Sequence, residues 1–184
     1  MSHATYPNPP RPRSADEPMA FTDAELARGA IITGVAFVLA SPIVMIALTL
    51  ATTHYPQSVG IWIYVILVAT VVGIAPATLI TVIACTPVAR AIGRALRRER
   101  RRWPHLLAFA GLGAAASVVA AIVVGLAMWA ASAGSHGPAP LTFTLPFGLL
   151  LAPVAAGSAA FGWWRASRRA LTRDEHPHPS GDMA

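Results

Sequence analysis

Residues 90–102 read Arg-Ala-Ile-Gly-Arg-Ala-Leu-Arg-Arg-Glu-Arg-Arg-Arg, with seven arginines and one glutamate. Upstream, residues 29–89 contain no Asp, Glu, Lys or Arg, and downstream residues 103–164 contain none either. A bilayer core tolerates few ionised side chains, so a charge block between two such stretches is the pattern of a polytopic membrane protein. Each stretch is long enough for two helices, since about 20 residues rising 1.5 Å each cross roughly 30 Å of hydrocarbon.

Composition agrees. Charged residues make up 12% of the 184, against roughly 25% in an average soluble domain. All 14 basic residues are arginine, a skew that points to a GC-rich, bacterial genome. The net charge is +6, a value that also suits a nucleic-acid binder. Here the charge is a matter of position, and with no folded basic domain and no interleaved aromatic platform no nucleic-acid partner is expected. Cys85 is the only cysteine, so no intramolecular disulfide forms and a small packing role is expected.

The chain divides into a proline-rich tail over residues 1–21, a membrane domain over 22–173, and a polar tail over 174–184. Both tails are expected to be disordered, because neither has enough apolar surface to offset the entropy of ordering. Pro9-Pro10-Arg11-Pro12-Arg13 also suits a polyproline helix. The first helix has an explicit start. Thr22 and Glu25 are spaced as a capping box, and Phe21 and Leu26 as a hydrophobic staple. Spans are predicted at about 30–51, 61–85, 106–130 and 143–164. The second is expected to run past Pro87 into the arginine block, with Pro104 ending the extension. The result is an all-α, integral membrane four-helix bundle. The turns near residues 52–60 and 131–142 carry no Lys or Arg, so the arginine bias predicts both termini and the middle loop in the cytoplasm. Residues 90–99 also align with 165–174 at an offset of 75, which suggests two hairpins of one orientation, a parallel repeat.

Three stripes of small residues are the clearest constellations. Gly113, Ser117, Ala121 and Gly125 recur at intervals of four on the third span; Gly73, Ala77, Thr81 and Cys85 do so on the second; Gly148, Ala152, Ala156 and Ala160 do so on the fourth. Small residues let backbones approach closely, so these are the expected helix-packing sites, within the bundle or against a second copy or another membrane protein. Pro42, Pro76 and Pro153 lie near mid-span and each leaves a carbonyl without its usual donor, at Val38, Val72 and Leu149. Proline is commonplace in membrane helices, and that plain reading is the leading one; three kinks at similar depth are also a route to a midplane cavity lined by those carbonyls.

Chemistry-bearing groups are scarce. The spans hold hydroxyls but no Asp, Glu, His, Lys or Arg, which disfavours proton-coupled transport and intramembrane proteolysis. His54 with His136, and His176 with His178, are too few for a metal site. No catalytic, metal or cofactor site is expected. In a continuous helix Arg90, Arg94, Arg97, Arg98 and Arg101 share one broad face, where anionic lipid headgroups or an acidic partner would bind. The leading functional expectation is a non-enzymatic accessory or interaction component of the cell envelope. The alternative is a small homo-oligomeric transporter or channel.

Overall fold

The computed structural model describes residues 22–52, 59–99, 101–131 and 141–175, with side chains to 169. All four segments are helices: α1 (Asp23–Thr52), α2 (Val59–Leu96), α3 (Arg102–Ala131) and α4 (Leu141–Glu175). Each is long and apolar enough to cross a membrane, and the chain is an all-α, multi-pass membrane protein. Residues 1–21, with Pro9–Arg13 and Phe21 among them, residues 176–184 and the histidines at 54 and 136 lie outside the described residues, and α4 runs on through Asp174 and Glu175, the first two residues of the predicted C-terminal tail.

Helix α1 begins as its sequence predicts. The backbone N–H of Thr22 donates to Glu25 Oε2 at 2.9 Å, and the N–H of Glu25 donates to Thr22 Oγ1 at 3.3 Å. The box satisfies two of the donors that a helix start leaves unpaired. Deeper in, Pro42 deprives the Val38 carbonyl of its donor. Ser41 is fully buried, and its hydroxyl is the nearest replacement at 3.5 Å.

Helix α2 contains the one break in regular α-geometry among the described residues. Thr70–Ile74 forms a π turn, and the N–H of Ala75 donates to the Thr70 carbonyl. Pro76 follows at once and has no N–H to donate to Val72. A widened turn next to a proline is one of the standard ways for a helix to bend. Thr70 is buried there, and its hydroxyl donates to the Ile66 carbonyl at 2.7 Å.

As expected, α2 continues past Pro87 through Arg94 to Leu96. The extension ends earlier than predicted. The N–H of Glu99 bonds the Leu96 carbonyl at 2.9 Å, closing a turn. Pro104 does not end the extension; it sits in the first turn of α3, where its fixed φ suits a helix and its missing N–H costs nothing. One continuous arginine face therefore does not exist. Arg90 and Arg94 ride on α2, Arg97 and Arg98 lie in the turn, and Arg101 follows it.

Three contacts bring one end of every helix together. Arg90 Nε of α2 lies 3.1 Å from Asp23 Oδ1 of α1. Gly29 of α1 meets Ala166 of α4, and His105 of α3 stacks on Trp163 of α4. This arginine end holds the start of α1 and α3 and the end of α2 and α4; the helices alternate in direction. Packing around the bundle is uneven. Helix α4 is the hub, in close contact with α3 along its length and with α1. Helix α2 touches α1 and α3 more sparsely, and its far half, Val59–Ala69, touches only α1 and the adjoining π turn. The two hairpins suggested by the 75-residue offset are thus packed differently, α3–α4 tightly and α1–α2 loosely.

Candidate binding cavity

The tight side of the bundle comes from glycines. A methyl group on Gly113 would collide with the Ala155 carbonyl and with the Ala159 side chain. One on Gly125 would strike Thr144 and Leu141, and one on Gly148 would strike the Ala121 side chain. Ser117 lies within this seam, and its hydroxyl donates across to the Gly148 carbonyl at 2.9 Å. The predicted stripe on α3 is therefore a packing seam, and its partner is α4. In lipid such a seam replaces the hydrophobic effect with dispersion and interhelical hydrogen bonds.

On α4 the seam follows a different line from the predicted stripe. Gly148 and Ala155, spaced by seven, are the close-approach points to α3, and Ala159 follows four residues on. Ala152 and Ala156 are half-buried. A helix turns 3.6 residues at a time, so positions four apart drift around it while positions seven apart stay nearly in line. The second seam, between α1 and α4, has no counterpart in the predicted stripes. A methyl on Gly162 would lie 2.7 Å from the Gly29 carbonyl and 3.1 Å from the Thr33 nitrogen, and would overlap the Thr33 hydroxyl. Ser158, Gly162 and Ala166, small residues four apart on α4, were the signal available for it.

The stripe on α2 does not pack. Gly73 is exposed with nothing within 4 Å of its position. Ala77, Thr81 and Cys85 instead face a cavity of about 650 Å³. This is not a cavity of the midplane prolines. None of Pro42, Pro76, Pro153, Val38, Val72 or Leu149 contributes to it. The space arises because α4 draws α1 and α3 close while α2 stands off.

Its wall is graded. Asp23, Glu25 and Arg90 line it at the arginine end. From there to the middle, all four helices contribute, among them Gly34, Thr78, Ala116 and Ala155. Beyond the middle, among the described residues, the lining comes from α3 and α4 alone, because α1 contributes nothing past Phe37 and α2 nothing before Ile74. Several lining residues are also well exposed: Ile31 66%, Leu79 62%, Ile83 63% and Phe147 51%. The cavity is thus continuous with the outer surface of the bundle.

Its polarity is low for a specific reason. The hydroxyls of Thr33, Thr78, Thr81 and Thr86 all donate to carbonyls of their own helices, at 3.0, 2.7, 2.8 and 2.9 Å. Bonded back this way, each threonine withdraws its donor and leaves mainly a methyl group for contact. Thr144 Oγ1 is buried without a hydrogen-bond partner near the far end.

A stacked cluster closes the inner wall near the charged mouth. His105 and Trp163 have ring centroids 5.1 Å apart at 11°, and Phe109 lies 6.2 Å from Trp163. His105 is 1% exposed. Its Nε2 lies 3.2 Å from the Glu99 carbonyl, which pins the arginine turn to the bundle. Residues far apart in sequence make this cluster, and no local pattern announces it.

Among the described residues no three His, Cys, Asp or Glu side chains come close enough to hold a metal ion. The arrangement is chemically simple: an apolar chamber, open sideways, with three charges at one end. Comparison of the chain with protein-family models, with curated proteins and with solved structures finds no match.

Proposed function

We propose that the protein is a non-enzymatic accessory component of the cell envelope, and that its interaction is with an amphiphile of the bilayer held in the central cavity. The positive-inside bias sets the arginine end in the cytoplasm, so the cavity's charged mouth lies at the inner leaflet. One observation carries the reading, the apolar cavity whose Thr33, Thr78, Thr81 and Thr86 hydroxyls are turned back on their own helices. Its volume, about 650 Å³, falls within the roughly 300–1,000 Å³ of small-molecule sites. Ions gain nothing there, because conduction needs groups that replace the hydration shell.

The test is native mass spectrometry of the full chain released from mild detergent. The reading expects a bound lipid-sized mass that is lost in Gly34→Leu and in Ala120→Phe, both of which fill the cavity. An equal mass on the wild type and on two folded filled variants would overturn it.

A second reading, a small homo-oligomeric transporter, is favoured by the π turn beside Pro76. That turn marks a place where the loosely held far half of α2 can swing. It expects transfer of a fluorescent amphiphile between leaflets of reconstituted vesicles, slowed by Pro76→Ala. Transfer unaffected by the substitution would count against it.

A further inference from the structure

The charges at the cavity mouth say more about the occupant. Asp23 and Glu25 come from the first turn of α1, and Arg90 comes from the last turns of α2. Arg90 Nε and Asp23 Oδ1 lie 3.1 Å apart, and both side chains remain accessible, at 49% and 77%. The mouth therefore presents a guanidinium and a carboxylate side by side. Glu25 adds a second carboxylate, already tied to the Thr22 N–H. The other described arginines of the block, Arg94, Arg97, Arg98, Arg101 and Arg102, do not line the cavity.

A purely anionic headgroup would meet Arg90 but also two carboxylates. A headgroup with no phosphate would leave the remaining guanidinium donors of Arg90 to water. An adjoining ammonium and phosphate meet the Arg90–Asp23 pair with each charge facing its opposite. Resting on the cavity reading above, we propose that the occupant is a diacyl phospholipid carrying both a primary ammonium and a phosphate. The phosphate sits on Arg90, the ammonium on Asp23, and the acyl chains lie among Ala77, Thr81, Ala116 and Ala120. Guanidinium suits the phosphate because its planar donors match two oxygens at once. The exposed side chains of Ile31, Leu79 and Ile83 mark where chains enter from the bilayer. The rest of the arginine block still attracts anionic lipid, but at the periphery.

The experiment uses the full chain in nanodiscs with equal amounts of phosphatidylethanolamine and phosphatidylglycerol, released for native mass spectrometry. The proposal expects a phosphatidylethanolamine adduct in excess by about fivefold or more, the factor that one charge makes near a membrane surface. Asp23→Asn should bring the ratio to near one or invert it. Arg90→Gln should lower the yield of both adducts. Glu99→Gln removes one negative charge from the turn without touching the mouth, and it should leave the preference in place.

A preference for phosphatidylglycerol in the wild type would overturn the proposal. So would a shift with Glu99→Gln as large as that with Asp23→Asn. Either result would leave the cavity reading standing if Gly34→Leu or Ala120→Phe still removed the adduct. No displaceable adduct in any sample would remove both.

Discussion

Gly162→Ala tests the α1–α4 seam most sharply. The added methyl would lie 2.7 Å from the Gly29 carbonyl, which is backbone and cannot rotate away. Ordinary contact begins near 3.4 Å, so α1 must retreat by about 0.7 Å. A gap of 0.5–1 Å forfeits about a quarter to a half of each dispersion contact it opens. Overpacking of this kind costs about 1–3 kcal/mol. The intrinsic helix preference of alanine returns up to about 1 kcal/mol. The net expectation is destabilisation of about 1–2 kcal/mol. Gly111→Ala and Gly157→Ala are the controls, because nothing lies within 4 Å of either position. They should be neutral or slightly stabilising. Unfolding in mixed micelles, followed by tryptophan fluorescence, reads all three. Wild-type stability in Gly162→Ala, with unchanged controls, would refute the close approach of α1 and α4.

Three further outcomes follow from the same geometry. Ser117→Ala removes the hydroxyl that donates to the Gly148 carbonyl, and unfolding should show a loss of about 0.6 kcal/mol and no more than about 1.7. Thr22→Ala breaks the capping box and should cost about 0.5–2 kcal/mol, seen as increased hydrogen exchange confined to the first turns of α1. Pro153→Ala should leave lipid occupancy in native mass spectra unchanged, since Pro153 does not line the cavity; loss of the adduct would mean that its kink shapes the chamber.

The parts of the fold visible in the sequence were those fixed by local rules. Charge-free length determines the four spans, Thr22 and Glu25 determine where α1 starts, and the Gly113–Gly125 stripe marks a seam. Pro76 announced a break, and the structure resolves it as a π turn. What stayed hidden depends on which helix meets which. The α2 stripe of Gly73, Ala77, Thr81 and Cys85 is built of small residues like the α3 stripe, yet it faces open space because α4 has already engaged α1 and α3. The Gly29–Gly162 contact stayed hidden although Ser158, Gly162 and Ala166 recur at intervals of four, because that run extends past the predicted end of the fourth span into the arginine-bearing segment. The arginine face failed for a local reason, the turn closed by Glu99 on Leu96. The His105–Trp163 stack joins residues 58 apart in sequence, a distance at which periodicity carries no information.

The central claim is that lipid occupies the chamber between α2 and the α3–α4 pair. The most direct measurement is photo-crosslinking in membranes with a phospholipid that carries a diazirine on its acyl chain, followed by mapping of the adducts. The account predicts adducts on Thr78, Thr81, Ala116 and Ala120 that disappear in Gly34→Leu, alongside ordinary labelling of the lipid-facing Val71 and Ile80. Adducts confined to Val71, Ile80 and other outward residues, with the chamber unlabelled, would contradict it.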